Sequence, residues 1–179
     1  MPLVTIYPWS LESIGSAILS SGSAGFGYTG SAAYPVANLA ILIPFVLAVP
    51  FTVVKMFTLN GATVSGNLDV GIYTNEGGAS PVLCKIVSMG STIQAGVSDI
   101  QELDIADTQL PSGSYYMALV LDNVTGTFFR SLIENASIAA ACGVRFKTTA
   151  FPLPATITVL DDAQTHYMPV FGLTGRLVI

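Results

Sequence analysis

The sequence predicts an all-β fold, an antiparallel sandwich of two sheets behind an extended N-terminal arm. Three observations lead there. Short runs of strand character recur from about residue 40 to the C-terminus, turn chemistry separates many of them, and no helices alternate with them. Eight or so strands in roughly 140 residues suit a two-sheet jelly roll.

Taken in order, residues 1–35 differ from the rest. The run "SIGSAILSSGSAGFGYTGSAAYP" is rich in Gly, Ser and Ala, with isolated large side chains. Such a composition builds no core of its own, but spaced aromatics can anchor an arm on a neighbouring subunit. Trp9, Phe26, Tyr28 and Tyr34 are the candidate anchors. Fully extended, about 30 residues reach on the order of 100 Å. The arm contains a literal G-x-G-x-x-G at Gly25, Gly27 and Gly30, yet no buried strand precedes it and Pro35 follows it closely. A dinucleotide site needs a strand before the motif and a helix after it, so this is a chance match.

The sandwich domain is read as residues 36–179. Val36 to Val54 is uncharged over a length near that of a bilayer span. Pro44 and Pro50 fall within it, however, and each removes a helical hydrogen bond. The stretch therefore reads as two short strands broken at the prolines, with no membrane span. Strand candidates are 40–47, 51–59, 67–74, 82–88, 100–105, 114–122, 142–149, 155–160 and 168–172. Turns at Asn60-Gly61, Ser65-Gly66, Gly77-Gly78 and Pro111-Ser112-Gly113 punctuate them.

Within 67–73, Leu68, Val70 and Ile72 alternate against Asn67, Asp69 and Tyr73. Tyr115, Met117, Leu119 and Leu121 alternate with Tyr116, Ala118 and Val120, so that strand is covered on both sides. The single helical candidate is Ser131 to Gly143, Ala-rich with a Gly stop; a loop insertion between strands reads equally well.

Composition bounds the function. The chain is 51% hydrophobic and 9% charged, against roughly 25% charge in an ordinary soluble domain. Such a surface implies either entry into a membrane or burial against other protein subunits. The net charge is −5, and the six basic residues are scattered singly. Nucleic acid as a partner is excluded, because it needs clustered cations. Cys84 and Cys142 are too few for a disulfide framework and lie among apolar neighbours, so they read as two small buried hydrophobes. No basic n-region precedes an apolar run at the N-terminus, so a secretory signal is not expected.

The search for chemistry is unproductive. His166 is the single histidine and no G-x-S-x-G elbow accompanies it, so neither a triad nor a zinc site is expected. Glu102 and Asp104 alternate on a strand about 6–7 Å apart, a spacing that suits a glycosidase pair and equally a solvated face. Asp104 and Asp107 are weak calcium candidates, since no dense Asx-Gly loop supports them. Tyr73, Tyr115, Tyr116 and Trp9 are the aromatics available to stack on a sugar. The sequons at Asn123 and Asn135 matter only in a secreted eukaryotic chain. The expectation is no catalytic residues, no cofactor and no metal.

One resemblance narrows this. The runs "ILIPFVLAVPFTVVKMFTLNGATVSGNLDVGIYTNEG" and "MGSTIQAGVSDIQELDIADTQLPSGSYYMALVLDNVTGTFFR" resemble jelly-roll proteins of tailed bacteriophages. Asn60, Gly61, Gly66, Asn67, Asp69, Gly71, Tyr73, Gly113, Tyr115, Tyr116 and Leu119 match that group's pattern, and "FPLPATITV" with "MPVFGL" resembles its last strands. The likeness covers about residues 38–172 and leaves the arm outside. It implies a virion component made in the host cytoplasm and placed on the capsid exterior, the tail or a fibre. The favoured expectation is a non-enzymatic decoration or cement protein, a homo-oligomer with a trimer as the favoured form, bound to the major capsid protein or another virion protein. The alternative is a fibre or tail-tip module binding host glycan.

Overall fold

The computed structural model describes residues 4–6, 28–75, 82–131, 136–148, 150–158, 160–161 and 167–178. In chain order the strands are β1 (Val4–Ile6), β2 (Tyr28–Ala33), β3 (Ala40–Leu47), β4 (Phe51–Leu59), β5 (Asn67–Thr74), β6 (Leu83–Ser88), β7 (Thr92–Ile93), β8 (Ile100–Leu110), β9 (Gly113–Leu121) and β10 (Thr127–Ser131). One helix, α1 (Ala136–Ala141), comes next, then β11 (Arg145–Lys147), β12 (Thr156–Ile157), β13 (Met168–Pro169) and β14 (Phe171–Leu177). Every strand pairing among them is antiparallel. The protein is an all-β sandwich.

One layer has the order β11-β3-β9-β5-β6-β12, with β7 added beside the start of β5. The facing layer has the order β1-β14-β4-β8, and the small sheet β13-β10-β2 continues it. The junction is a bridge from Asn60 to Phe128 and the hydrogen bonds of Val170 to Leu59 and Phe129. The chain changes layer between β2 and β3, β3 and β4, β4 and β5, β6 and β8, β8 and β9, β9 and β10, β10 and β11, and β12 and β13.

The alternation seen in the sequence fixes which side chains meet. Ile41, Ile43 and Phe45 of β3, Leu68, Val70 and Ile72 of β5, and Met117, Leu119 and Leu121 of β9 face Phe51, Val53, Met56, Phe171 and Leu173 across the sandwich. All are buried, and removing such area from water is worth about 25 cal/mol per Å². The opposite side of β9 is also covered, as its sequence requires: Tyr116, Ala118 and Val120 pack with Ala40, Leu42, Tyr73 and Leu83. What covers them is a strap, residues 150–157, which inserts Ala150, Leu153 and Ile157.

Three readings change. Pro44 does not break its strand; it pairs with Tyr116 inside β3, beyond the end of β11, where no further strand of this sheet needs its missing N–H. The break falls at Pro50 alone, between β3 and β4. The helix is shorter than Ser131–Gly143: Ser131 ends β10, residues 132–135 lie outside the described residues, and Ala136–Ala141 is the helical part. Gly143 closes it as read, with φ +78° and its N–H donating to Ala140 O.

The third concerns the arm. Val4–Ile6 pairs with Leu173–Gly175 of β14, and Tyr28–Ala33 pairs with β10, so both pieces are strands of the sandwich. Tyr34 is a core residue and no anchor on a neighbour. Its hydroxyl lies 2.6 Å from Leu39 O and 2.9 Å from Leu119 O, and its ring stands edge-on to Phe128 and Tyr167. Burial pushes its phenol well above the ordinary value, with Tyr167 adding to the shift.

Candidate interaction surface

Four loops meet at one end of the sandwich: residues 34–39, 60–66, 89–99 and 122–126. Amide side chains from the patterned stretches tie them together. Asn60, buried at the end of β4, donates from Nδ2 to Ala95 O and to Gln101 Oε1. Its Oδ1 accepts from Thr58 Oγ1 and from Gln94 Nε2 at 3.1 and 3.2 Å. Gln94 also donates to Thr127 O and accepts from the Ser65 N–H, both at 2.9 Å. Gln101 donates from Nε2 to Ile93 O and accepts the Ala95 N–H.

A second knot holds the other side. Asp122 accepts the Asn67 N–H and Asn67 Nδ2, each at 3.0 Å. Asn123 donates to Ser65 O and Asp122 Oδ1, and its own Oδ1 accepts the N–H groups of Thr125 and Gly126. Burial raises the Asp122 carboxyl, but the bonds from Asn67 and Asn123 outweigh it and hold its pKa below the ordinary range. Buried polar groups cost 1–3 kcal/mol each, roughly, when left unpaired. Here the bonds close on one another.

The backbone is shaped to match. Gly90, Gly96 and Ser98 have φ of +72°, +86° and +53°, which fold the 89–99 loop back so that Gln94 reaches inward. The "GSTIQAG" run, whose chemistry was not legible in the sequence, therefore serves to aim one buried glutamine. Its Gly-x₃-Gln-x-Gly spacing was the available signal.

Turned outward from this network are apolar side chains. Ile93 is 70% exposed and Val97 60%, and Val36, Ile100 and Val124 are exposed beside them on the same four loops or at their edges. Those loops contain no Lys or Arg, and their only acids are Asp99 and Asp122.

The residues considered for catalysis lie elsewhere. Glu102 and Asp104 stand on β8, 46% and 80% exposed, with Lys55 of β4 at 3.4 and 3.6 Å. Asp107 pairs with Arg176 at 3.5 Å. The lysine amine is pushed up, by Asp104 first and then Glu102. All three carboxylates are exposed, and each already meets a side-chain cation. Between Asp104 and Thr108 the strand bulges, placing Ile105, Ala106 and Asp107 opposite Val54 alone.

Of the aromatics considered for sugar stacking, Tyr73, Tyr115 and Tyr116 are buried. Trp9, Phe26 and His166 lie outside the described residues; Tyr28 is placed by its pairing with Ser131. Asp69 is fully buried under the strap, where its Oδ2 accepts the Leu153 N–H at 3.1 Å. Among the described residues, no group of three His, Cys, Asp or Glu converges as a metal site, and no helix is long and apolar enough to cross a membrane. No protein-family model, curated protein or solved structure matches the chain.

Proposed function

We propose that this chain is a non-enzymatic structural protein of a tailed-bacteriophage virion, a capsid decoration protein that acts as an assembly of several copies. The observation that carries the reading is the fate of its polar side chains. Asn60, Asn67, Gln94, Gln101, Asp122 and Asn123 spend their hydrogen bonds on fixing loops that present apolar surface. That is the economy of a binding protein, in which pre-ordered loops lower the entropic cost of docking.

The strand order supports the same reading. The orders β1-β14-β4-β8 and β3-β9-β5-β6, with repeated changes of layer, are compatible with two interlocked Greek keys, and so support the jelly roll that the sequence motifs imply. A decoration protein acts by mass action: it binds the assembled shell and not its separated subunits, so it stabilises the shell. The fibre or glycan-binding alternative has less support, because Tyr73, Tyr115 and Tyr116 are in the core.

The arm is tested without cutting the sandwich. Residues 7–27, which include Trp9 and Phe26, are replaced by a short Gly/Ser linker, leaving β1 and β2 intact. Particles of the encoding phage should retain the parent protein through sedimentation and release DNA at a higher temperature with it than without it. The linker variant should lose part of both effects. If the parent protein sediments apart from the particles, or leaves the release temperature unchanged, the decoration reading is wrong.

A further inference from the structure

We propose that the strap, residues 150–157, is a proton-controlled cover, which lifts from the sheet as a unit and is loosened by the negative charge of Asp69 beneath it. Ala40, Leu42, Tyr116, Ala118 and Val120 form the apolar face that it covers. Its own hold on that face is slight. Pro152 and Pro154 have no N–H to donate, and only Thr156 and Ile157 form a strand, the two-residue β12 beside β6. Its start is held by the Ala150 N–H, which donates to Asn38 O. Between these ends it is gripped from below, by Lys85 Nζ at Leu153 O, by the Tyr73 hydroxyl at Pro154 O and by Asp69 Oδ2 at the Leu153 N–H. The fit is close: a Cβ built on Gly71 would stand 2.8 Å from Leu153 Cδ1.

Asp69 is fully buried, and its Oδ1 has no hydrogen bond. A closed strap thus keeps one carboxylate oxygen from water, at a cost that falls far more heavily on the ionised form than on the neutral one. Among the described residues, few titratable groups surround it. Lys85 of β6 lies near, and its amine donates to Leu153 O. Tyr73 of β5 and Tyr116 of β9 belong to the same covered cluster, and residues 150–157 include no titratable side chain. Burial raises the Asp69 carboxyl above its ordinary value; the Leu153 N–H, Lys85, Ser88 and Gly90 oppose this without reversing it. Burial also raises the Tyr73 phenol, with Asp69 adding to the shift, so that grip keeps its proton. When the strap lifts, water reaches Asp69 and its carboxyl returns toward about 3.9. The closed form therefore holds the proton more tightly. The resulting support for closure is complete below about pH 3.9 and is lost as pH rises through the closed-state pKa. Asp161, at the base of the strap, acts in the opposite sense. The Thr148 N–H holds its carboxyl low, so its support is present above about pH 3.9 and is lost as pH falls through that lowered value. Closure is firmest between the two, near about pH 4.

The test is residue-resolved amide exchange of the full chain by NMR, expressed as protection relative to the unprotected rate at each pH. From about pH 4 to 7, protection at Leu153 and Ile157 should fall at least about threefold, while Met117 and Leu119 in β9 keep theirs. In Asp69→Asn that fall should disappear. Protection that is constant or rises over the range in the parent overturns the proposal. So does an equal fall in folded Asp69→Asn, or a loss at β9 in step with the strap, which is global unfolding. Should Asp69→Asn fail to fold, the carboxyl carbon of Asp69 is titrated in the parent by NMR. A midpoint above the ordinary carboxylate value sustains the proposal, and one at or below it overturns it.

Discussion

At Gly66 the backbone has φ +74°, and a Cβ built there would stand 1.8 Å from Asn123 Nδ2 and 2.1 Å from Asp122 Oδ1. The residue is glycine for two separate reasons, a left-handed turn and the room the knot needs. Gly66→Ala should therefore cost about 1–3 kcal/mol in a denaturant melt. Asn60→Leu removes a buried amide with partners on four sides and leaves Gln94 and Gln101 short of bonds; a loss of roughly 2–4 kcal/mol is expected in the same measurement. Asp69 responds to pH in a defined direction. Burial raises its pKa above the ordinary carboxylate value, and the Leu153 N–H, Lys85, Ser88 and Gly90 offset that in part. The folded state thus holds this proton more tightly than the unfolded chain does. Its contribution to stability is present below the unfolded carboxylate pKa, about 3.9, and is lost as pH rises through the folded value. In Asp69→Asn that loss should vanish, seen as a flatter melting midpoint between pH 3 and 7, approximately. Asp69 also shows a limit of the sequence. Alternation put it on the side of β5 away from the main core, which is where it lies, but nothing local signalled the cover supplied by residues 150–157.

The strap is an element with little regular structure, held by side chains that grip its backbone. Tyr73 donates to Pro154 O and Lys85 Nζ to Leu153 O, both at 2.6 Å, and Asp69 accepts the Leu153 N–H. Its base is closed by the bridge between Phe146 and Asp161, where Asp161 Oδ2 also accepts from Thr148 N and Oγ1. Tyr73→Phe should cost about 1 kcal/mol and speed amide exchange in 150–157 while leaving β3 and β9 protected, as read by hydrogen-exchange mass spectrometry. Strands with strong alternation, β5 and β9, were legible because both faces are encoded in consecutive residues. The short β2 was not: Gly30, Ser31, Ala32 and Ala33 have little strand propensity of their own. They are small because the strand lies close to its neighbours, with Ser31 Cβ only 2.5 Å from where a Cβ on Gly61 would stand. Its pairing with β10 is a long-range contact that composition does not announce.

For the whole molecule, the sequence conveyed the class of fold and the poverty of charge, whereas the loop end had to be assembled from four separated segments. The attachment of the strap to the edge of the sandwich has a chemical consequence as well. Cys84 is exposed where its apolar neighbours predicted burial, because it faces outward on β6; Thr156, also exposed, lies opposite it, and the neighbouring Lys85 N–H donates to Ala155 O. In an antiparallel pair this makes Cys84 and Thr156 a non-hydrogen-bonded couple, whose Cα atoms come within about 4.5 Å, a separation that a disulfide spans. Thr156→Cys should then oxidise to an intrachain covalent clasp, detectable by a mass loss of about two hydrogens and worth about 4 kcal/mol in the chain-entropy account. One engineered thiol would make the strap's register readable in a test tube, and would turn a patch held by three side chains into a redox-controlled hinge.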